Sequence, residues 1–211
     1  MSSTNMDLTF RTYPAFLDKS LADLPFGKLL FFQVWVVEYL YQQFGEELNA
    51  RFLEEEGINL KEVLEFLWHM VDKANKEGEN DLAGKMSLMD EELLAKYLDA
   101  LENESILSEL DESETNECGM ANLLNSFYNA LSFIREKETR YAAEAALYPL
   151  NVVDCILAND YSLDTRDPDR HISHPLFQAE FTAQTSLLDY LHSDKDAGKD
   201  KRDLFRFPPP L

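Results

Sequence analysis

The longest apolar stretch of the chain, "LLFFQVWVVEYLY", runs from Leu29 to Tyr41 and carries Gln33 and Glu38 inside it. A membrane-spanning helix needs about 20 apolar residues and tolerates an ionised side chain badly. At 13 residues, with an acid in its second half, the stretch is too short and too polar to span a bilayer. It therefore predicts a buried helix in the core of a globular domain.

The choice of apolar residues favours helices along the whole chain. Leucine outnumbers valine plus isoleucine by 33 to 12, and only seven glycines punctuate the sequence. Unbranched side chains lose little freedom in a helix, whereas β-branched ones favour strands. No segment alternates apolar and polar residues between hairpin turns. The sequence predicts an all-α fold, a single-domain bundle of about seven helices over residues 1–193.

Apolar spacing and stop signals give the approximate helix positions. Pro149 lies inside one of these segments, and a proline there predicts a kink or break near Tyr148. Pro175 suits the first turn of the last helix. The predicted helices cover residues 13–24, 26 to 44 or 52, 59–74, 87–104, 120–134, 138–160 and 174–192.

The composition changes over residues 194–211, where a charged linker leads to "LFRFPPPL". Three successive prolines favour an extended polyproline conformation. A tail exposed to solvent would not be expected to carry four large apolar residues, Leu204, Phe205, Phe207 and Leu211. We expect the tail to dock on its own helical body, with presentation to a partner as the alternative.

The net charge of −21 excludes nucleic acids and anionic membranes as partners and favours a basic protein. Residues 77–117 contain 14 acids and two bases, and the densest part is "ILSELDESETNEC". Complementary charge speeds association and selects partners, so this stretch predicts a partner-binding surface. A solvated surface without a partner, or weak calcium binding, remains an alternative. The predicted partner-binding residues are Glu109, Asp111, Glu112, Glu114 and Glu117.

The stretches that resemble metal sites lack the required spacing. An EF-hand read from the acidic stretch would have Asn116 and Asn122 where glycine and glutamate are needed. A di-iron bundle needs glutamate and histidine three residues apart, but Glu65 and His69 are four apart. The loop "DTRDPDRHISH" matches no defined site. The sequence predicts no metal, no cofactor and no catalytic residue.

The two cysteines, Cys118 and Cys155, do not predict a disulfide framework. Acidic neighbours of Cys118 would raise the pKa of its thiol and weaken it as a nucleophile. Cys155 lies on an apolar helix, where cysteine is commonly a small core residue. The first residues, "MSSTNMDLTF", lack the order of a signal peptide. We expect a reducing, cytoplasmic location.

Four polar side chains fall on or beside apolar helix faces. Gln184 lies on the apolar stripe of the last helix, and Glu180 lies one turn before it. Glu38 interrupts the aromatic helix, and His69 follows a tryptophan. We predict that Glu38, His69, Glu180 and Gln184 form a buried polar cluster. Such a cluster either fixes helix register by hydrogen bonds or lines a small pocket.

Two stretches, "LPFGKLLFFQVWVVEYLYQQF" with "VLEFLW" and "HPLFQAEFTAQTSLLDYL", support a family assignment. They resemble the N-terminal half and the C-terminal helix of the YjaG-like bacterial proteins, a small all-α family without an assigned function. His174, Pro175, Glu180 and Gln184 stand in matching places, and the resemblance covers about a third of the chain. It implies an all-α single domain and brings no catalytic residues.

The absence of catalytic motifs together with the acidity predicts a non-enzymatic protein-binding module. By analogy with other small acidic proteins, its most concrete form is an immunity or inhibitor protein that covers a basic effector such as a nuclease. A homo-oligomeric accessory protein is one alternative. An enzyme with a polar pocket around Glu180 is another.

Overall fold

The computed structural model describes residues 12–77, 87–102, 104–111, 113–163, 172–193 and 195–206. Within these ranges the chain is helical and has no β-strand, so the all-α prediction is confirmed. The described residues contain nine α-helices, of which two are only six residues long and seven are longer. The helices are α1 Tyr13–Leu21, α2 Phe26–Glu56, α3 Leu60–Glu77, α4 Leu88–Leu101, α5 Glu104–Glu109, α6 Thr115–Glu136, α7 Arg140–Ala145, α8 Leu147–Asn159 and α9 Pro175–Leu191.

The aromatic-rich stretch forms the central helix α2, which is longer than predicted. Its 31 residues extend over about 46 Å at 1.5 Å per residue. α6 and α3 pack along it, and nearly all side chains of its first half are buried. α2 ends at Gly57, whose φ of 66° lies in the left-handed region that favours glycine. None of the described helices combines the length and apolar character that a membrane span requires.

α2 and α6 approach each other closely because α6 carries a glycine at their contact. A side chain on Gly119 would overlap the ring of Phe44 of α2. The buried apolar side chains form one contiguous cluster, with Trp35, Trp68 and Phe127 among its largest members. The bundle is therefore organised around α2 and α6: α3, α7 and α8 pack on both, α4 packs on α6, and α1 packs on α7.

The segment predicted as one helix over residues 138–160 is broken, as the proline indicated. α7 ends at Ala145 and α8 begins at Leu147, so the break falls at Ala146, two residues before Tyr148. The interruption places Pro149 in the first turn of α8, where its missing N–H needs no partner. The break thus lies slightly before the predicted position.

The start of α4 is fixed by a capping box and an ion pair. Ser87 accepts a hydrogen bond from the Asp90 amide, and the Asp90 carboxylate accepts one from the Ser87 amide. Lys73 of α3 donates to the same carboxylate at 2.8 Å. Burial raises the pKa of Asp90, but the hydrogen bonds from Lys73 and Ser87 outweigh it, and the net pKa is lower than usual.

Residues 195–206 of the tail pack on the helical body. Ala197 is buried, and its carbonyl accepts a hydrogen bond from Asn75 of α3. Further along, the Lys199 amide donates to Asp72, and the indole Nε1 of Trp35 donates to the Leu204 carbonyl at 2.8 Å. Residues 207–211 lie outside the described residues, so docking of the proline-rich end stays a prediction.

Cys118 of α6 and Cys155 of α8 form a disulfide, although two cysteines alone did not predict a disulfide framework. α6 and α8 pack against each other, which brings the two Cα atoms to 6.7 Å. This separation lies within the range that a disulfide spans. Cys155 is therefore a bonded residue and not only a small core side chain. The bond also removes the cysteine-based argument for a reducing compartment.

Candidate functional site

A buried ion pair joins the tail to the last helix. Nη1 of Arg206 donates to Oε2 of Glu180 at 2.5 Å, and the two side chains are only 7% and 5% exposed. Oε1 of Glu180 accepts a hydrogen bond of 2.7 Å from Gln184, one turn later on α9. Gln184 also donates to the carbonyl of Ala146 at the α7–α8 break and accepts from the Tyr13 hydroxyl. These four side chains, Tyr13, Glu180, Gln184 and Arg206, are called the ion-pair cluster below.

The guanidinium of Arg206 is held between two aromatic rings of α2. Its central carbon lies 3.5 Å from the ring centroid of Trp35 and 3.7 Å from that of Tyr39. A cation over an aromatic face is attracted by the ring quadrupole, most strongly when it is desolvated. The hydrogen bond from Trp35 to the neighbouring Leu204 carbonyl fixes the backbone at the same place. The position of Arg206 is therefore set by contacts on three sides.

The surroundings of the ion-pair cluster keep two tyrosines, Tyr13 of the cluster and the adjacent Tyr39, protonated. Burial and the nearby charge of Glu180 raise the pKa of Tyr13 well above its usual range, and the charge of Arg206 opposes this rise only in part. The same causes raise the pKa of Tyr39. Tyr13 is thus a permanent hydrogen-bond donor to Gln184. No proton transfer is indicated for either hydroxyl at neutral pH.

An apolar cavity of about 250 Å³ adjoins the ion-pair cluster. Its walls come from α8 and α9, and Tyr39, Gln43, Glu180 and Arg206 supply its polar side. The tail residue Phe205 also lines it, so the tail forms part of the wall. The apolar wall residues are Pro149, Val152, Val153, Ile156, Leu176, Ala179 and Ala183.

The predicted buried polar cluster is divided in the structure. Glu180 and Gln184 are buried together, as their positions on the helix stripe indicated. Glu38 is buried at a separate place, where Oε2 accepts a hydrogen bond of 2.7 Å from the Trp68 indole and Oε1 accepts one from Gln42. It lines an open surface cleft of about 460 Å³ instead of the apolar cavity.

The inclusion of His69 in a buried cluster was wrong. Its side chain is 61% exposed, and its Nε2 lies 4.0 Å from Asp90. A helix turns by about 100° per residue, which places His69 above Glu65 and beside Asp72 on the outer side of α3. Its sequence neighbour Trp68 points instead into the core.

The acidic stretch surrounds the N-terminus of α6, and each carboxylate has a different environment. Asp111 accepts hydrogen bonds from the amide and hydroxyl of Ser113, which lower the pKa of its carboxyl group. Glu117 accepts a hydrogen bond from the Asp111 amide at 2.5 Å. Glu109 and Glu114 are exposed, and no described cation contacts them. The placement of Glu112 lies outside the described residues.

The fold adds carboxylates from two distant segments to this surface. Glu47 of α2 accepts a hydrogen bond from Asn116, and Asp160, after α8, accepts one from Thr115. Of the cations that the structure describes, only Arg51 contacts the group, at 2.8 Å from Glu47 and 3.7 Å from Glu117. These six carboxylates, Glu47, Glu109, Asp111, Glu114, Glu117 and Asp160, are called the acidic end below.

Two features of these sites were not predicted from the sequence. Arg206 was not recognised as the partner of Glu180, although a buried carboxylate requires a cation or a proton. One feature of the sequence could have indicated this pair: a single arginine lies within the apolar segment "LFRF" of a tail that was expected to dock on the helical body. The Cys118–Cys155 bond had no signal in the sequence, because it depends on how α6 and α8 pack. No group of three or more metal-binding side chains occurs among the described residues.

Comparison of the chain with protein-family models, with curated proteins and with solved structures gives no match. The resemblance to the YjaG-like proteins therefore stays a prediction. The acidic end and the apolar cavity beside Arg206 are the two candidate binding regions of the molecule.

Proposed function

We propose that the protein is a non-enzymatic binding module whose acidic end docks on a basic protein. The observation that carries this proposal is the convergence of six carboxylates from non-contiguous segments around the N-terminus of α6, with Arg51 the only described cation in contact with them. Uncompensated carboxylates at one place repel one another and attract a cationic surface. An immunity or inhibitor protein that covers a basic effector, such as a nuclease, is the most concrete form of this role.

The local contacts separate the carboxylates that would serve binding from those that serve the fold. Asp111 and Glu117 hold the loop before α6 through hydrogen bonds to backbone amides. Carboxylates in the first helical turn also interact favourably with the helix dipole. Glu109 and Glu114 have no such bonds among the described residues and are exposed. Reversing these two charges leaves the hydrogen bonds of Asp111 and Glu117 in place, so an effect on binding can be measured while the loop stays held.

The test reverses these two charges and compares the result with an equal change elsewhere. The variant Glu109→Lys/Glu114→Lys alters the acidic end, and Asp18→Lys/Asp189→Lys supplies the matched control with the same change in net charge. Asp18 and Asp189 are exposed near the other end of α2, where Lys28 donates to the Leu191 carbonyl. Each variant is immobilised and exposed to the lysate of its own host at low and at physiological salt.

We expect a basic protein to be retained by the wild type and by the control, and to be lost from the acidic-end variant. Association with that protein, once purified, should slow as salt rises, because charges interact over about 8 Å at physiological ionic strength. Equal loss in both variants would indicate non-specific attraction to a molecule of net charge −21 and contradict the proposal.

A cytoplasmic location is part of the same proposal, and it requires the Cys118–Cys155 disulfide to persist in a reducing compartment. Disulfides persist mainly in oxidising compartments. In the cytoplasm the Cys118–Cys155 bond would have to form in spite of the reducing pool. Cys118 is only 1% exposed, whereas Cys155 is partly buried, so the shielding would come mainly from the Cys118 side. Thiol labelling of freshly lysed cells, with and without prior reduction, measures whether the bond exists there.

A further inference from the structure

The guanidinium of Arg206 is only partly satisfied. Nη1 donates to Glu180, whereas Nε and Nη2 are buried and have no hydrogen-bond partner. These two N–H groups form the side edge of the guanidinium, which matches an acceptor in a forked geometry. Leaving buried donors unpaired costs free energy, so unsatisfied groups of this kind are rare in folded proteins. An unpaired edge in a side chain that lines a cavity indicates a missing acceptor.

We propose that the apolar cavity binds a compact neutral molecule that has an apolar body and one hydrogen-bond acceptor, such as a ketone or an amide. The acceptor would pair with Nε and Nη2 of Arg206. The apolar body would lie against Val152, Val153 and Ile156 of α8. This ligand site is separate from the acidic end and does not depend on the proposed docking function.

The charge balance of the site favours a neutral ligand over an anion. Arg206 already faces the carboxylate of Glu180, so the buried pair carries no net charge. A second carboxylate would bring an uncompensated negative charge into an apolar cavity, which is strongly unfavourable. A carbonyl oxygen can use the free N–H groups without adding charge. The net charge of −21 also disfavours anionic ligands at long range.

The volume limits the size of the molecule. The cavity holds about 250 Å³. An engineered cavity of about 150 Å³ in another protein binds benzene, and sites for drug-sized ligands range from about 300 to 1,000 Å³. A molecule with one aromatic ring and a short substituent lies between these limits. Nε and Nη2 are shielded from solvent in the structure, so a ligand reaches them only when the side chains that cover them shift.

Three probes of similar shape separate the contributions of the acceptor and of the charge. Acetophenone carries a neutral acceptor, cumene carries none, and benzoate carries an anionic one. Titration calorimetry and the rise in melting temperature on adding each probe measure binding to the full-length protein. We expect acetophenone and cumene to bind and benzoate to bind at least about tenfold more weakly than acetophenone.

The variant Arg206→Lys keeps a cation opposite Glu180 but removes the forked edge. A hydrogen bond to a charged group is worth about tenfold or more in affinity. We therefore expect the affinity for acetophenone, relative to that for cumene, to fall at least about tenfold in Arg206→Lys. The comparison of two probes in one variant cancels general changes in the cavity, so a merely destabilised protein would not give this result.

A second pair of variants tests the cavity itself. Ala179 lies in the cavity wall and is exposed on α9, so Ala179→Phe should close the cavity without disturbing the core. Thr182 is exposed on the same helix and does not line the cavity, so Thr182→Phe is the matched control. We expect Ala179→Phe to abolish binding of acetophenone and cumene and Thr182→Phe to retain it.

Several outcomes would overturn the proposal. If no probe binds, the cavity does not accept a compact apolar molecule. If benzoate binds most tightly, the site is an anion site. If Arg206→Lys changes the affinities for acetophenone and cumene equally, the guanidinium edge does not contact the ligand. If probes bind only to a variant that ends at Arg206, the cavity receives residues 207–211 of the protein itself.

Discussion

The two members of the buried ion pair differ in their freedom to reach solvent. Glu180 lies in the interior of α9 and cannot leave the core without unwinding that helix. Arg206 lies in the tail and can leave together with it. Removing the charge of Arg206 therefore leaves the Glu180 carboxylate buried without a counter-charge. Removing the charge of Glu180 leaves a guanidinium that can move out to solvent with the tail. We expect Arg206→Met to destabilise the fold more than Glu180→Gln does.

The expected magnitudes follow from the contacts of each residue. Breaking a buried pair costs about 3–5 kcal/mol when the remaining charge stays buried, which is the case for Arg206→Met. In a domain of this size the change lowers the melting temperature by about 6–20 °C. Glu180→Gln keeps a side-chain oxygen as acceptor and loses one charged hydrogen bond, so about 1–2 kcal/mol is expected.

Urea denaturation followed by the fluorescence of Trp35 and Trp68 measures these differences. The double variant Glu180→Gln/Arg206→Met closes a cycle, and its cost should fall short of the sum of the single costs by about 2 kcal/mol or more. A cost below about 0.5 kcal/mol for Arg206→Met would show that the pair is not buried in solution. An equal or larger cost for Glu180→Gln would refute the argument that the tail gives Arg206 an escape route.

Three further perturbations probe the rest of the fold. Gln33 is fully buried with both side-chain polar atoms unpaired, so Gln33→Met should raise the free energy of unfolding by about 1–3 kcal/mol in urea denaturation, and a decrease would reveal a partner. The Cys118–Cys155 bond spans 37 residues, so replacing both cysteines by alanine should cost about 4 kcal/mol, and reductant should then leave the melting temperature of the variant unchanged while lowering that of the wild type. Because the folded pKa of Asp90 is lowered, its carboxylate stabilises the fold above the unfolded pKa of about 4 and this contribution is lost as pH falls through the folded value. Asp90→Asn should therefore cost about 1–2 kcal/mol at pH 7, and the difference from wild type should close below about pH 4.

The sequence determined those features that depend on neighbours along one helix. The excess of leucine and the spacing of apolar residues were sufficient for the all-α fold. The positions of Glu180 and Gln184 on the stripe of the last helix predicted their burial correctly, because side chains four residues apart share one helix face. Pro149 predicted the interruption of its helix for the equally local reason that proline lacks an N–H group.

Only the tertiary structure decided which residues meet across the molecule. The packing of α6 on α8 pairs Cys118 with Cys155, and the return of the tail brings Arg206 to Glu180. The burial of His69 was predicted wrongly because it lies at the boundary of the apolar face of α3. Whether a residue at that boundary is buried depends on which neighbouring helices cover the face. Such contacts depend on the rotation and packing of whole helices, which residue spacing within a single helix does not specify.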